Sequence, residues 1–258
     1  MDDTNVYPGV IVQPPRADSI MAIAAHPDDI ESWCAGTLAL AIAQGATVRL
    51  LLVTSGDKGS SDSHTTSDRV AAIREGEARE AAGRLGIAEV AFLRYPDGEV
   101  EDRRGLRADL VTAIRRWQPQ VLFTHDPEHP YPPYVTHRDH RIVGRAALDA
   151  VYPLARDRLV FPEHADVGLL PHAVKSVWLF SSAQPTVYVD IAATLDRKIT
   201  ARLAHVSQTE DPSGLQDGWY ARAAAIGKPV GLALAEAFVV LELDCKNNLT
   251  IFIYSHSY

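Results

Sequence analysis

The chain is poor in cysteine and has no long apolar run. Only Cys34 and Cys245 occur among its 258 residues, which excludes a disulfide framework and a zinc site built on cysteine. No uninterrupted apolar stretch approaches the roughly 18 residues that a membrane span requires. The first 19 residues lack the cationic start and apolar core of a signal peptide. We therefore expect a soluble, cytoplasmic protein without a membrane span.

An excess of positive charge is also lacking. The 25 Lys and Arg residues face 33 Asp and Glu residues, for a formal net charge of -8, which argues against nucleic acid or an anionic membrane as a partner. Gly and Pro number only 16 each and 47% of residues are hydrophobic, which excludes collagen and disorder and suffices for a core. Histidine is abundant, with 10 residues, and it is the commonest metal ligand in proteins.

Apolar runs of strand length alternate with segments of helical periodicity. This alternation predicts a single α/β domain over residues 1–258, a three-layer sandwich with a mainly parallel, Rossmann-like sheet. Asp68 is the predicted N-cap of the second helix. The predicted strands are 20–25, 47–54, 89–93, 120–124, 173–180 and 186–189, and the predicted helices are 31–44, 68–85, 106–117, 137–150 and 192–205.

The two ends of the chain are less defined. Residues 1–19 are predicted to form an irregular leader, and residues 241–258 form an uncertain tail that includes a β-like run at 249–254. That run could be an edge strand, a partner-binding tail or a sequence foreign to the native end, and the sequence does not choose among these. A homo-oligomer is possible.

Two loops that follow predicted strands carry the unusual polar residues. Residues 25–31 read Ala-His-Pro-Asp-Asp-Ile-Glu, directly after the first strand. Adjacent carboxylates repel each other unless a cation, a proton or hydrogen bonds offset the charge. His26 and Asp29 are spaced so that one turn could aim both at a single ion, with Asp28 pointing elsewhere. The alternative is that one of the two aspartates caps the following helix.

The loop after the fourth strand contains His125, His129 and Tyr134, followed by His137 and His140 at the start of a helix. The last two histidines are three residues apart and share a helix face. Because ligands bind beyond the carboxyl ends of parallel strands, we expect this loop and the first to form a common site.

Zinc chemistry explains this combination of residues. A catalytic zinc site uses three N or O protein ligands and keeps one position open. His26, Asp29 and His140 would supply these ligands, and the metal would make water a nucleophile near neutral pH. Asp28 would accept the proton of that water, and His137 would donate a hydrogen bond or a proton to the oxyanion or the leaving amine.

These motifs resemble those of the LmbE/PIG-L family of zinc-dependent N-deacetylases. The resemblance extends from about residue 20 to about residue 208 and includes the Ala-His-Pro-Asp-Asp and His-Arg-Asp-His stretches, Thr-Ser-Gly-Asp-Lys-Gly at 54–59, Tyr-Pro-Asp-Gly at 95–98 and His-Val-Ser-Gln at 205–208. It implies the same zinc ligands, a general base at Asp28 and an acid or electrophilic role at His137. It also implies sugar contacts from Arg74 and Asp97, which would otherwise be a surface residue and a turn former. The implied reaction removes an acetyl group from an amino sugar or its conjugate.

Two departures from the family pattern occur. Ile30 stands where some relatives have Glu, and Tyr134 lies three residues before His137 where a catalytic tyrosine of some relatives lies two before. The remaining histidines match no ligand position. His125 and His129 are predicted to pack around the site, His205 to pack near it, and His64, His164, His172 and His256 to lie on the surface.

Two other functions share some of these sequence features. Adjacent aspartates after a first strand also occur in Mg²⁺-binding phosphoacceptor signalling modules, for which Asp97 is a partial match as the phosphoacceptor, but the histidine-rich loop would then be unexplained. A nucleotide-binding domain is disfavoured because no Gly-x-Gly-x-x-Gly follows the first strand.

Overall fold

A computed structural model describes residues 9–128 and 136–243 of the chain. The strands are β1 (Val10–Val12), β2 (Ser19–Ala24), β3 (Thr47–Thr54), β4 (Glu89–Tyr95), β5 (Val121–His125), β6 (Ser176–Phe180), β7 (Val187–Asp190) and β8 (Ala235–Glu242). The helices are α1 (Asp29–Trp33), α2 (Ala35–Ala43), α3 (Ser67–Leu85), α4 (Arg104–Trp117), α5 (Arg138–Asp149), α6 (Leu195–Arg202) and α7 (Pro212–Gly227). The α/β class is confirmed.

The eight strands form one mixed sheet in the order β1-β7-β8-β6-β5-β2-β3-β4. All neighbouring pairs are parallel except those of β8, which runs antiparallel to β6 and β7. From β2 the chain proceeds through β3 to β4 and then crosses back to place β5 on the other side of β2. The strand order therefore reverses between β2 and β5, and the carboxyl ends of these two strands flank the crevice where open α/β sheets bind ligands.

Helices cover both faces of the sheet, as predicted for a three-layer sandwich. Because side chains alternate along a strand, each central strand contributes to two cores. On β2, Ile20, Ala22 and Ala24 belong to one core and Met21 and Ile23 to the other. Helices α1, α2, α3 and α6 supply apolar residues to the first core, and α4 and α5 to the second. Burial on both faces explains why these strands are nearly continuous apolar runs.

The predicted helix at 31–44 is wrong as a single element. It is interrupted at Cys34, where φ is -140°, and α2 begins at the next residue. The interruption is stabilised by the buried Glu236 of β8, whose carboxylate accepts hydrogen bonds from the amides of Gly36 (2.9 Å) and Thr37 (2.8 Å). Lys198 of α6 donates to the same carboxylate at 2.6 Å. A carboxylate at a helix N-terminus is favoured by the helix dipole.

Other boundaries also differ from the prediction. Asp68 does not cap α3, because Thr66 is the N-cap and its hydroxyl accepts a hydrogen bond from the Arg69 amide. The predicted leader is not wholly irregular, since it contains β1 and the first residue of β2. The predicted tail begins inside β8, and its β-like run at 249–254 lies outside the described residues. The sequence pattern predicts no element over helix α7 or most of β8. Within residues 9–128 and 136–243, no helix combines the length and apolarity needed to cross a membrane.

Glu75 ties α3 to β4 and to the loop after β3. Its carboxylate accepts hydrogen bonds from Arg94 Nε (2.7 Å) and Ser55 Oγ (2.7 Å). The Arg94 contact, partly opposed by burial and reinforced by Ser55 and Arg79, lowers the pKa of Glu75 from 4.5 to about 2. A carboxyl group with a depressed folded-state pKa stabilises the fold fully above its unfolded-state pKa, and this stabilisation is lost as the pH falls through the folded-state value.

We expect Glu75→Gln to have a lower free energy of unfolding than the wild type at neutral pH. The difference should shrink as the pH falls from about 4.5 towards about 2. Urea denaturation at neutral and at acid pH measures this difference, with Glu80→Gln, an exposed position on the same helix, as the control. A difference that does not change with pH would contradict the assignment.

Candidate active site

The loop after β2 directs His26 and Asp29 towards the same point. The backbone amide of His26 donates to Asp29 Oδ2 at 2.7 Å, and both side chains are buried. Between them, Asp28 adopts the left-handed region with φ 85°. Asp28 occupies the N-cap position of α1, but its side chain makes no capping hydrogen bond. Helix capping therefore does not account for the Asp28 carboxylate.

The first turn of α5 brings His140 to this loop. His140 Nε2 lies 3.1 Å from His26 Nδ1 and 3.1 Å from Asp29 Oδ1, and His26 Nδ1 lies 3.6 Å from Asp29 Oδ2. Two imidazole nitrogens and the two oxygens of one carboxylate thus form a compact triangle of three side chains, in which His140 faces Oδ1 of Asp29 and His26 faces Oδ2. The sequence predicted these three residues as ligands, and the fold brings them together across 114 positions of sequence.

The triangle fits a zinc ion. With bonds of roughly 2.0–2.1 Å, two ligands of a tetrahedral zinc lie about 3.3 Å apart, close to the separations found here. The His140 side chain is 19% exposed, so the site has access to solvent. Among the described residues, three sets of donor atoms lie within 4.8 Å of one another, and the three predicted ligands are divided between the first two: His26, His137 and His140; Asp29, His125 and His140; and His26, Asp97 and Asp139.

His125 at the end of β5 lies behind Asp29 and is fully buried. Its Nε2 lies 3.2 Å from the Ala25 amide nitrogen and 3.2 Å from Asp29 Oδ2, so this nitrogen is engaged by the protein and is not counted among the ligands. Burial and the neighbouring His140 lower the pKa of His125 to about 4. Burial alone would raise the pKa of Asp29, but His140 and His125 hold it well below its usual range.

The second ring nitrogen of His26 faces two further carboxylates. His26 Nε2 lies 3.0 Å from Asp97 Oδ1 and 3.5 Å from Asp139 Oδ2. Burial lowers the pKa of His26, but Asp139, Asp29 and Asp97 together raise it to about 11. A carboxylate on the outer nitrogen of a ligating histidine fixes the ring and increases its basicity. The three carboxylates around His26 therefore favour a positive charge on or beside its ring.

Asp28 lies between two guanidinium groups. Arg74 Nη2 is 3.6 Å from Asp28 Oδ1, and Arg202 Nη2 is 3.6 Å from Asp28 Oδ2. Burial and the charge of Asp29 raise the pKa of Asp28, whereas Arg74 and Arg202 oppose that rise. The Asp28 side chain is 20% exposed, so the carboxylate is accessible to a small molecule in the crevice.

His137 stands at the open side of the cluster. It is the N-cap of α5, where its Nδ1 accepts a hydrogen bond from the Asp139 amide at 3.2 Å, and it is exposed. Its ring meets that of His26 edge to face, with centroids 4.5 Å apart. Burial and the charge of His26 lower the pKa of His137. The helix begins one residue after His137, so the two histidines flank the helix start instead of sharing a regular helix face as predicted.

The sugar contacts expected from Arg74 and Asp97 remain predictions, since both side chains are engaged inside the protein. Arg74 is 5% exposed and donates to the carbonyl oxygens of Gly56 (3.1 Å) and Pro27 (2.8 Å). Asp97 is 8% exposed and faces His26. The contacts of Arg74 and Asp97 therefore link the loops that carry the site.

Sequence reasoning gave no role to Asp139 or Arg202. Asp139 lies inside the His-Arg-Asp-His motif, which is the signal that could have identified it, but Arg202 has no motif around it.

The prediction that His205 packs near the site is consistent with its full burial 3.6 Å from Glu31. His164 and His172 are half-buried: His164 contacts Thr112 and Arg115, and His172 contacts the Pro119 carbonyl. His129, Tyr134 and His256 lie outside the described residues.

Gly59 leaves room for the Arg74 guanidinium. A Cβ at residue 59 would lie 2.4 Å from Arg74 Nη1. We expect Gly59→Ala to displace Arg74, which contacts Asp28, and thereby to lower turnover by about tenfold or more, because small misplacements of catalytic groups are costly. Gly76→Ala on α3 is the control, since nothing lies within 4 Å of its Cβ. Steady-state kinetics with equal metal loading measures the effect, and equal turnover in the two variants would contradict it.

Comparison with known proteins finds deacetylases among the relatives of this chain. The model of the family described as PIG-L, GlcNAc-PI de-N-acetylase, matches residues 21–151. The chain is 30% identical to diacetylchitobiose deacetylase of Thermococcus kodakarensis over 223 residues, which cover 84% of this chain and 80% of the relative. It is 35% identical over 170 residues to the 1D-myo-inositol 2-acetamido-2-deoxy-alpha-D-glucopyranoside deacetylase of Streptomyces avermitilis, covering 55% of this chain and 57% of that one.

A solved structure has the same fold. The N,N'-diacetylchitobiose deacetylase of Pyrococcus horikoshii superposes with a TM-score of 0.81 at 29% identity, covering 88% of this chain and 84% of the other. These matches are deacetylases and give no support to the Mg²⁺-binding phosphoacceptor module. Together with the clustered His-Pro-Asp-Asp and His-Arg-Asp-His residues, they establish that the chain belongs to the PIG-L family of de-N-acetylases.

Proposed function

We propose that the protein is a zinc-dependent hydrolase that removes the acetyl group from an N-acetylated amino sugar or its conjugate. The observation that carries this proposal is the triangle formed by His26 Nδ1, the Asp29 carboxylate and His140 Nε2, with separations of 3.1 to 3.6 Å. The triangle lies at the sheet crevice beside the accessible side chains of Asp28 and His137.

His26, Asp29 and His140 would hold the metal. When bound, zinc lowers the pKa of water and polarises a carbonyl oxygen as a Lewis acid. The protein's own contribution is to fix the three donors. The amide of His26 donates a hydrogen bond to Asp29 Oδ2, and Asp29 Oδ1 lies 3.1 Å from His140 Nε2. The carboxylates of Asp97 and Asp139 face the other nitrogen of the His26 ring.

The two accessible groups then divide the proton transfers between them. Asp28 removes a proton from the attacking water as its oxygen bonds to the acetyl carbonyl carbon. The ring N–H of His137 stabilises the negative charge on the carbonyl oxygen, or the protonated ring of His137 delivers a proton to the amide nitrogen as the C–N bond breaks. The products are acetate and a free amine, and the overall reaction consumes one water.

The substrate class follows from the family. The curated relatives act on diacetylchitobiose and on an acetamido-glucopyranoside of inositol, both of which carry an acetamido sugar. We therefore place an N-acetylglucosamine unit at the site of this protein and assign sugar contacts to the predicted residues Arg74 and Asp97.

The test is an assay of acetate release. Purified zinc-loaded protein is incubated with N-acetylglucosamine, diacetylchitobiose, N-acetylglucosaminyl-inositol and N-acetylglucosaminyl lipids, and mass spectrometry detects loss of an acetyl group from each. We expect acetate and the free amine from at least one compound, with none from the same protein after chelation. If no member of the panel is deacetylated by the zinc-loaded protein, the proposal fails.

A further inference from the structure

The Asp28 carboxylate has two arginine partners, which come from different helices. Arg74 and Arg202 each place one guanidinium nitrogen 3.6 Å from a different oxygen of the Asp28 carboxylate. Arg74 comes from α3 and Arg202 from the last turn of α6. The carboxylate is therefore held between two positive charges that approach it from separate parts of the fold.

The backbone fixes the direction in which the Asp28 side chain leaves the main chain, but not the position of its carboxylate. Asp28 is in the left-handed region, with φ 85° and ψ -8°, and its carbonyl oxygen accepts hydrogen bonds from the amide and the hydroxyl of Ser32, both at 3.0 Å. These contacts set the direction of the Cα–Cβ bond. They do not contact the carboxylate oxygens, whose ion-pair contacts are with the two guanidinium groups.

Arg74 is occupied with the structure of the loops. It donates to the carbonyl oxygens of Gly56 and Pro27, and both Gly56 and Gly59 are packed so closely against it that a Cβ at either would lie under 2.5 Å from its Nη1. Removing Arg74 would disturb two loops at once. Its contact with Asp28 cannot be separated from that role by substitution.

The guanidinium of Arg202 also makes two hydrogen bonds that do not involve Asp28. Its Nη1 donates to Thr209 Oγ1 at 2.8 Å and its Nη2 to the Gln208 carbonyl at 3.1 Å. Arg202 is 9% exposed, and a buried guanidinium requires a compensating negative charge. Asp28 Oδ2 supplies one at 3.6 Å. This distance exceeds that of a hydrogen bond, so the attraction orients the carboxylate without occupying its lone pairs.

We propose that Arg202 is a positioning residue for deacetylation, which orients the Asp28 carboxylate so that an oxygen lone pair faces the attacking water. This inference rests on the proposed function, because it takes Asp28 as the base. Arg202 acts through Asp28 and has no contact with the sugar. Its loss therefore slows the chemical step and leaves substrate binding and metal binding as they are.

The test compares Arg202→Met, Arg202→Lys and Arg197→Met in the full, zinc-loaded chain. Arg197 is an exposed arginine on the same helix, whose Nε donates to the Arg84 carbonyl, so it controls for the loss of one positive charge from α6. We expect Arg202→Met to lower kcat by about 10- to 100-fold, as for a misplaced catalytic group, with KM and zinc content unchanged. Arg202→Lys should recover part of kcat, because it restores the charge without the planar fork.

Two further measurements exclude a purely structural effect. Guanidinium ion added at low concentration should raise kcat of Arg202→Met but not of the wild type or Arg197→Met. Thr209→Val removes a hydrogen bond that holds Arg202. It should lower kcat too, but less than Arg202→Met does. This variant provides the test if Arg202→Met does not fold.

The outcomes separate this inference from the proposed function. If the wild type releases acetate and Asp28→Asn does not, but Arg202→Met and Thr209→Val match Arg197→Met, the proposed function stands and the role of Arg202 is wrong. A rise in KM with unchanged kcat would also overturn it, because Arg202 would then contact substrate. If the wild type releases no acetate from any compound, the proposed function and the role of Arg202 are both wrong.

Discussion

Asp28→Asn is expected to abolish nearly all turnover while leaving the metal in place. Asparagine keeps the size of the side chain but cannot accept the proton of the attacking water. Removal of a general base typically costs about 10²–10⁴-fold in rate, and we expect a fall in kcat of that size with little change in KM. The Asp28 carboxylate lies between Arg74 and Arg202 and not in the donor triangle, so the zinc content should equal that of the wild type.

Metal analysis and acetate release on the same samples decide this prediction. Asp62→Asn, an exposed loop aspartate, is the matched control and should behave as wild type. Asp29→Asn is the informative counterpart, because it should lose zinc as well as activity. If Asp28→Asn loses the metal and Asp29→Asn keeps it, the roles of the two aspartates are exchanged.

His140→Ala is expected to remove both metal binding and activity. His140 Nε2 is the corner of the triangle that lies 3.1 Å from each of the other two ligands, and alanine offers no replacement donor. Loss of an outer hydrogen-bond partner of a ligand costs about 10–100-fold in metal affinity, and loss of the ligand itself should exceed that range. Zinc content after gel filtration and competition with a chromophoric chelator give the affinity.

His64→Ala controls for the loss of a histidine, since His64 is exposed in the loop after β3. It should keep the zinc content and the rate of the wild type. Full zinc occupancy in His140→Ala would mean that another set of donors binds the ion, such as His26, Asp97 and Asp139.

Local sequence patterns predicted the parts of the site that depend on neighbouring residues. The Ala-His-Pro-Asp-Asp stretch follows a buried strand, and the rule that ligands bind at the carboxyl ends of parallel strands sufficed to bring His26 and Asp29 to His140. The alternation of strands and helices likewise predicted most of the sheet. These features depend on periodicity and on loop position, both of which are visible in one sequence.

The features that the sequence pattern did not predict depend on contacts between distant segments. The break between α1 and α2 depends on Glu236, which is 200 residues away from Gly36 and binds its amide. Arg202 is a helix residue whose importance becomes visible only when α6 packs beside the loop after β2. Helix α7 carries three glycines, at 214, 218 and 227, which weaken a helical signal.

A zinc titration of the metal-free protein tests the central claim most directly. Acetate release from the best substrate of the panel is measured as zinc is added in known ratio to protein. We predict no activity without metal, a linear rise, and a plateau at about one zinc per chain, as for a single catalytic site with three protein ligands. Full activity in the metal-free protein, or activity that requires Mg²⁺ and not zinc, would contradict the account.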